Sequence, residues 1–145
     1  MVAEAISIPT GPVLVTVVYF AVYYALHLHV LRTKRRLRSE YRANGEEFDR
    51  YFSRDRRMLA ADRCVLNMLE HMSPFVCLLW LHAAFVSPLS ATVAGSSYVA
   101  TRAAYPLLLG PSMGTQLPSR LLVATYGGYG VLLYLAAALC VAACR

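Results

Sequence analysis

Charge is scarce in this 145-residue chain: 15% of residues are Asp, Glu, Lys or Arg, against 58% that are hydrophobic. A water-soluble domain of this length could not hide so much apolar surface, so the composition excludes that class. The 14 Lys and Arg outnumber the 8 Asp and Glu, giving a net charge of +6. Most of that basic charge lies between Arg32 and Arg57, so the excess belongs to one segment, and no nucleic-acid partner is expected. The four cysteines, Cys64, Cys77, Cys140 and Cys144, lack C-x-x-C spacing and sit in apolar stretches. They read as small hydrophobes, and no metal site is expected. His27 and His29 are two residues apart, so on a helix they point in different directions and cannot share a ligand. Met1 to Pro9 has no basic n-region and carries Glu4, so the first apolar run is expected to remain as a spanning helix rather than be cleaved.

What is present is a series of apolar runs. Residues 11–31 contain no Asp, Glu, Lys or Arg, and roughly 20 helical residues at 1.5 Å each cross about 30 Å of hydrocarbon. Further spans are expected at 59–86, 89–110 and 120–143, the second and third joined by a turn at Ser87-Pro88. The expectation is an all-α integral membrane protein, a four-helix up-down bundle forming one domain over 1–145. The basic segment 32–57 is expected as a cytoplasmic loop by the positive-inside rule, part of it helical and lying against the headgroups, with the N-terminus lumenal. Gly127, Gly128 and Gly130 follow no strand and lie inside an apolar run, so they are no phosphate-binding loop; close helix packing or a kink explains them.

Polar residues inside the spans carry the functional information. A charged side chain near the middle of a membrane costs at least about 2.5–3.5 kcal/mol and requires a partner, a water-filled cavity or a ligand. The second span holds Arg63, Asn67 and Glu70 as R-x-x-x-N-x-x-E, offsets that place all three on one helical face. The third holds Arg102 and Tyr105 at i, i+3, and the fourth opens with Arg120. Rise per residue puts Glu70 roughly 16 Å and Arg102 roughly 12 Å from the cytoplasmic ends of their helices, so the two are expected to converge. One reading is a buried ion-pair network that fixes helix register. The other is a cationic cleft: three arginines face one carboxylate, and the surplus suits an anionic ligand, for which arginine offers a planar fork.

At these residues the sequence resembles the superfamily of membrane-associated proteins in eicosanoid and glutathione metabolism, which includes leukotriene synthase, microsomal prostaglandin E synthase and the microsomal glutathione transferases. The resemblance is carried by Asp62-Arg63-Cys64-Val65-Leu66-Asn67-Met68-Leu69-Glu70 with Pro74-Phe75 after it, and by Tyr98-Val99-Ala100-Thr101-Arg102-Ala103-Ala104-Tyr105. It implies a homotrimer in the endoplasmic reticulum or another endomembrane, binding glutathione as co-substrate near the cytoplasmic side and taking a lipophilic second substrate from the bilayer. By the same resemblance Arg63, Asn67, Glu70, Arg102 and Tyr105 hold the tripeptide and Arg120 is catalytic, its cation lowering the pKa of the thiol. The implied activity is a glutathione-dependent transferase or peroxidase acting on a lipophilic electrophile or lipid hydroperoxide; the alternative is a non-catalytic scaffold that binds lipid or glutathione. Pro106, directly after Tyr105, is expected to kink or end the third span there.

Overall fold

The computed structural model describes residues 9–52, 54–116 and 118–144. Five α-helices follow one another: α1 (Thr10–Ala43), α2 (Arg56–Glu70), α3 (Met72–Phe85), α4 (Pro88–Leu109) and α5 (Ser119–Ala143), with no strand among the described residues. Helices α2 and α3 succeed each other with only His71 between them, so the protein is built from four long helical rods. Three of these rods, α1, α2 with α3, and α5, are long and apolar enough to cross a membrane. Helix α4 matches them in length but carries Ser90, Thr92, Ser96, Ser97, Thr101 and Arg102. The polypeptide is an integral membrane protein with the all-helical architecture its periodicity implies.

The rods depart from the sequence expectation in three places, each for a local reason. The basic segment does not begin with a loop: α1 runs on through it to Ala43. Leu, Arg, Lys and Glu are good helix formers, Leu37 is fully buried, and Arg36 pairs with Glu40 one turn later at 3.1 Å. The second span is not continuous but breaks at His71, where the backbone leaves helical geometry (φ −111°, ψ 4°). Pro74, three residues on, has no N–H for the Glu70 carbonyl and its ring would crowd it. A new helix starts there, with the Phe75 amide donating to the His71 carbonyl at 3.0 Å. Pro106, by contrast, does not end α4, which continues to Leu109 and stops at Gly110 in the left-handed region, φ 88°. With so little helix beyond it, the proline removes one backbone bond near an end that frays in any case.

Close approach between rods depends on small residues. A side chain at Gly95 on α4 would collide with Val15 of α1 and Leu79 of α3, and one at Gly11 would collide with Thr92. At the centre lies an aromatic cluster: Tyr98 stacks on Phe75 (ring centroids 4.1 Å, 16°), and Tyr19 of α1 tilts against Phe75 at 4.9 Å. The Tyr19 hydroxyl donates to the Met68 carbonyl at 3.0 Å, using an acceptor left over in the last turn of α2. At the opposite end of α3, the buried His82 ring meets the Ser90 hydroxyl at 2.7 Å and so joins α3 to α4. A second, smaller core of Leu37, Phe48, Met58 and Ala61 clamps the α1 extension to the start of α2.

That clamp has an electrostatic component. The Asp55 carboxylate caps α2, accepting from the amides of Arg57 at 2.8 Å and Met58 at 3.4 Å. The Arg57 guanidinium bridges Asp55 at 3.1 Å and Glu40 of α1 at 2.5 Å. Partial burial acts to raise the Asp55 carboxyl, but the Arg57 side chain and the capping amides outweigh it and hold the group below the usual carboxylate range. A carboxyl lowered on folding contributes stability above its unfolded value of about 3.9, and that contribution is lost as pH falls through the lower folded value. Asp55→Ala should therefore cost about 1 kcal/mol near neutral pH. The cost should shrink towards zero in strong acid; denaturant unfolding in detergent micelles across that range measures it.

Candidate functional site

The most buried charge of the protein is Arg102, 1% exposed, on the inner face of α4. Its Nη1 donates to Asn67 Oδ1 on α2, and its Nη2 donates to the Ala124 carbonyl of α5 at 3.3 Å. The guanidinium carbon lies 4.8 Å from the centre of the Tyr98 ring, a cation–π contact one turn back along the same helix. Room for the group comes from α5: a Cβ at Gly128 would fall 1.8 Å from Nη2. Arg102 therefore ties three rods together through neutral partners, with no carboxylate paired to it among the described residues. Its Nε and the Tyr98 hydroxyl are buried and find no hydrogen-bond partner among the described residues.

Arg63 and Glu70 lie two turns apart on α2 and form an ion pair with Nη1 to Oε1 at 3.2 Å. Their side chains are 37% and 47% exposed, so the pair is solvent-accessible in the single chain and, by its single contact, weak. Arg63 is also beside the Tyr105 hydroxyl, which brings α4 to the same place. Tyr105 itself is 3% exposed. Next along the chain from Glu70, the His71 ring meets Tyr129 of α5 edge-on at 5.2 Å. The break between α2 and α3 thus lies beside the pair, and α5 flanks it.

Arg120 is exposed at the first turn of α5, and its Nε donates to the Leu108 carbonyl at 2.9 Å. Its guanidinium lies against Gly110, where the absence of a side chain leaves space. It is thus held at the last turn of α4, one turn beyond Tyr105. The connector between α4 and α5 closes this end, with the Met113 amide donating to the Arg56 carbonyl at 3.0 Å.

The six residues singled out in the sequence fall into three groups. Asn67 and Arg102 are joined in the bundle interior; Arg63 and Glu70 form an accessible pair outside it, with the buried Tyr105 reaching Arg63 from the core; Arg120 stands apart at the same end. Tyr98, Gly128 and the Ala124 carbonyl complete the Arg102 shell and were not singled out. Tyr98 had a signal, since it lies four residues before Arg102 on one face, and Gly128 stood in the glycine cluster; a backbone carbonyl leaves no trace in a sequence.

What the arrangement can do chemically follows from those differences. The exposed pair offers a guanidinium fork for a carboxylate and a carboxylate for an ammonium, the two ends of a zwitterionic peptide. The interior pair is a structural cross-link. Gly128→Ala should force the guanidinium out of place, and Asn67→Leu should leave a donor of a buried cation unsatisfied. Each should lower stability by about 3 kcal/mol, read as a loss of thermal midpoint in detergent, whereas Glu70→Gln at the exposed pair should leave that midpoint nearly unchanged.

No curated protein matches the chain. The model of the MAPEG family matches residues 12–141, from the first turn of α1 to the last turn of α5 and through every site residue named above. On that match, together with the helical architecture, the chain belongs to the MAPEG family.

Proposed function

We propose that this protein is a glutathione-dependent transferase or peroxidase acting on a lipophilic electrophile or lipid hydroperoxide at the membrane. The observation that carries the reading is the accessible Arg63–Glu70 pair beside Tyr105, placed against the rigid Arg102 cross-link. A family of glutathione and eicosanoid metabolism makes glutathione the natural zwitterion for it. Arg63 would take a carboxylate and Glu70 the α-ammonium, each exchanging its present partner for one of opposite charge on the ligand, so no charge is stranded. Tyr105 adds a hydroxyl at the same place. Asn67 and Arg102 would hold α2, α4 and α5 in register behind the ligand.

Catalysis requires a thiolate, since a free thiol with a pKa near 8.5 is largely protonated at neutral pH. Arg120, at the same end of the bundle and at the positive N-terminal end of α5, is the cation that would draw the thiol towards its ionised form. Apolar side chains exposed on the rods, among them Leu14, Val18, Leu107 and Val123, offer a lipophilic substrate a route from the hydrocarbon. Assembly as a homotrimer in an endomembrane, with the site open to the cytoplasm, completes the proposal. One observation favours a second reading, a scaffold that binds without turnover: Arg120 is held on the Leu108 carbonyl rather than on any other site residue.

Two variants separate the readings. Glu70→Gln should weaken glutathione binding at least about tenfold by isothermal titration, because a charge-assisted contact is replaced by a neutral one. Arg120→Ala should leave affinity within a few fold while turnover of a model electrophile falls by about one to three orders of magnitude and the thiolate absorbance of bound glutathione disappears. Tight binding with no thiolate in the unaltered protein would select the scaffold. Absence of glutathione binding would overturn both.

A further inference from the structure

The connector from α1 to α2 turns back along α1 and presents two aromatic side chains. Tyr51 and Phe52 are 85% and 87% exposed, the most exposed of the large hydrophobic side chains among the described residues. They are not left to chance: the Asp49 carboxylate accepts from both their amides, at 2.8 and 3.0 Å. Arg50, next to them, makes a bidentate pair with Asp62 of α2 at 2.8 and 2.9 Å. Arg50 and Asp62 share a groove with His27, Val30 and Leu66, so this part of the connector lies level with the last apolar turn of α1. A solvated loop has no reason to expose Tyr-Phe at that height, but interfacial aromatic belts consist of such residues.

Charge is sorted along the same axis. Arg32 and Arg35 are exposed, without an ion pair among the described residues, and within roughly 6 Å of Leu31 along α1, the depth of a headgroup layer. Arg54 and Arg56, on the other side of the aromatic pair, are exposed and unpaired as well. Of the acidic residues of the connector, Glu46 and Glu47 line a groove with Arg38 and Arg42, further out along α1, Asp55 is paired with Arg57, and Asp49 is taken up by the amides of the aromatic pair. Among the described residues, Arg32, Arg35, Arg54 and Arg56 thus flank the aromatic pair as exposed cations without an ion pair, and the carboxylate beside it, Asp49, is turned to backbone amides.

We propose that the connector is an interfacial anchor, in which Tyr51 and Phe52 enter the headgroup region and Arg32, Arg35, Arg54 and Arg56 bind anionic phospholipid headgroups. The inference is independent of the glutathione reading and requires only that the protein spans a membrane. Its consequence is a preference for a leaflet and a membrane rich in anionic lipid.

The test places a single reporter at the tip. Phe52→Trp in a Trp80→Phe background is reconstituted into vesicles of phosphatidylcholine, or of phosphatidylcholine containing one third phosphatidylserine, with Tyr51→Trp as a second reporter. Quenching by lipids spin-labelled near the headgroup should be strong and quenching by aqueous iodide weak. Labelled phosphatidylserine should be favoured over labelled phosphatidylcholine, and each of Arg35→Gln and Arg54→Gln should reduce that preference roughly fivefold, the ratio expected for a basic residue at a charged surface. Free access of iodide to both reporters would overturn the proposal. So would shielding from iodide without quenching by lipid labels, as a protein partner would produce, or a phosphatidylserine preference that survives the arginine substitutions.

Discussion

The structure depends on one buried guanidinium. Arg102 lies in the interior of a bundle whose outer surface is apolar, and its charge is met by an amide oxygen, a backbone carbonyl and an aromatic face, with no counter-ion among the described residues. Such a group is costly to bury, and in hydrocarbon the cost cannot be recovered by turning outward, so the neighbouring rods are fixed by the need to satisfy it. Asn67 sets α2, Ala124 and Gly128 set α5, and Tyr98 carries the constraint into the aromatic cluster, where Phe75 and Tyr19 extend it to α3 and α1. Every rod is thereby positioned within one or two contacts of the same cation.

This arrangement also explains why the polar residues divide as they do. A side chain that holds the bundle together must have partners without a ligand, a condition that Arg102 meets at both terminal nitrogens, in Asn67 and the Ala124 carbonyl. A side chain that receives a ligand must be able to release its partner, and the half-exposed, single-contact Arg63–Glu70 pair meets the opposite one. The two lie on one side of one helix, α2, and differ in depth: Asn67 is covered by α4 and α5, whereas Arg63 and Glu70 are left open. A rigid contact beneath and an exchangeable one above are what a binding site built on transmembrane helices needs.

Much of this was legible in the sequence because the constraint of the bilayer is so strong. Apolar runs without charge can satisfy their backbone only as helices, so the rods at 11–31 and 120–143 follow from composition, and R-x-x-x-N-x-x-E placed three polar groups on one side of α2 by period alone. Two features were harder. Residues 32–43 read as a loop because charge dominates them, but charge does not oppose helix formation, and the buried Leu37 is a single apolar residue that gains meaning only from Phe48 and Met58 across the turn. The separation of Asn67 from Glu70 depends on where α4 and α5 approach, and that approach is set by the small residues of α5, whose partner cannot be identified from one helix. The surplus of arginine over carboxylate had suggested a cleft; part of it is accommodated by neutral acceptors instead.

The position of Arg102 along the chain bears on how the protein is made. During synthesis Asn67 is in place before α4 emerges, whereas Ala124 and Gly128 follow it. Helix α4 is the rod that falls short of the others in apolar character, and alone in a bilayer it would carry an unpartnered cation. Its integration is therefore a cooperative event: the α2–α3 rod must remain beside the translocation machinery to receive it, and α5 then closes over the guanidinium like a bolt. Chain order thus supplies the acceptor on α2 before the cation and the one on α5 after it, and until α5 arrives the guanidinium would have only Asn67 and the Tyr98 face to meet its charge.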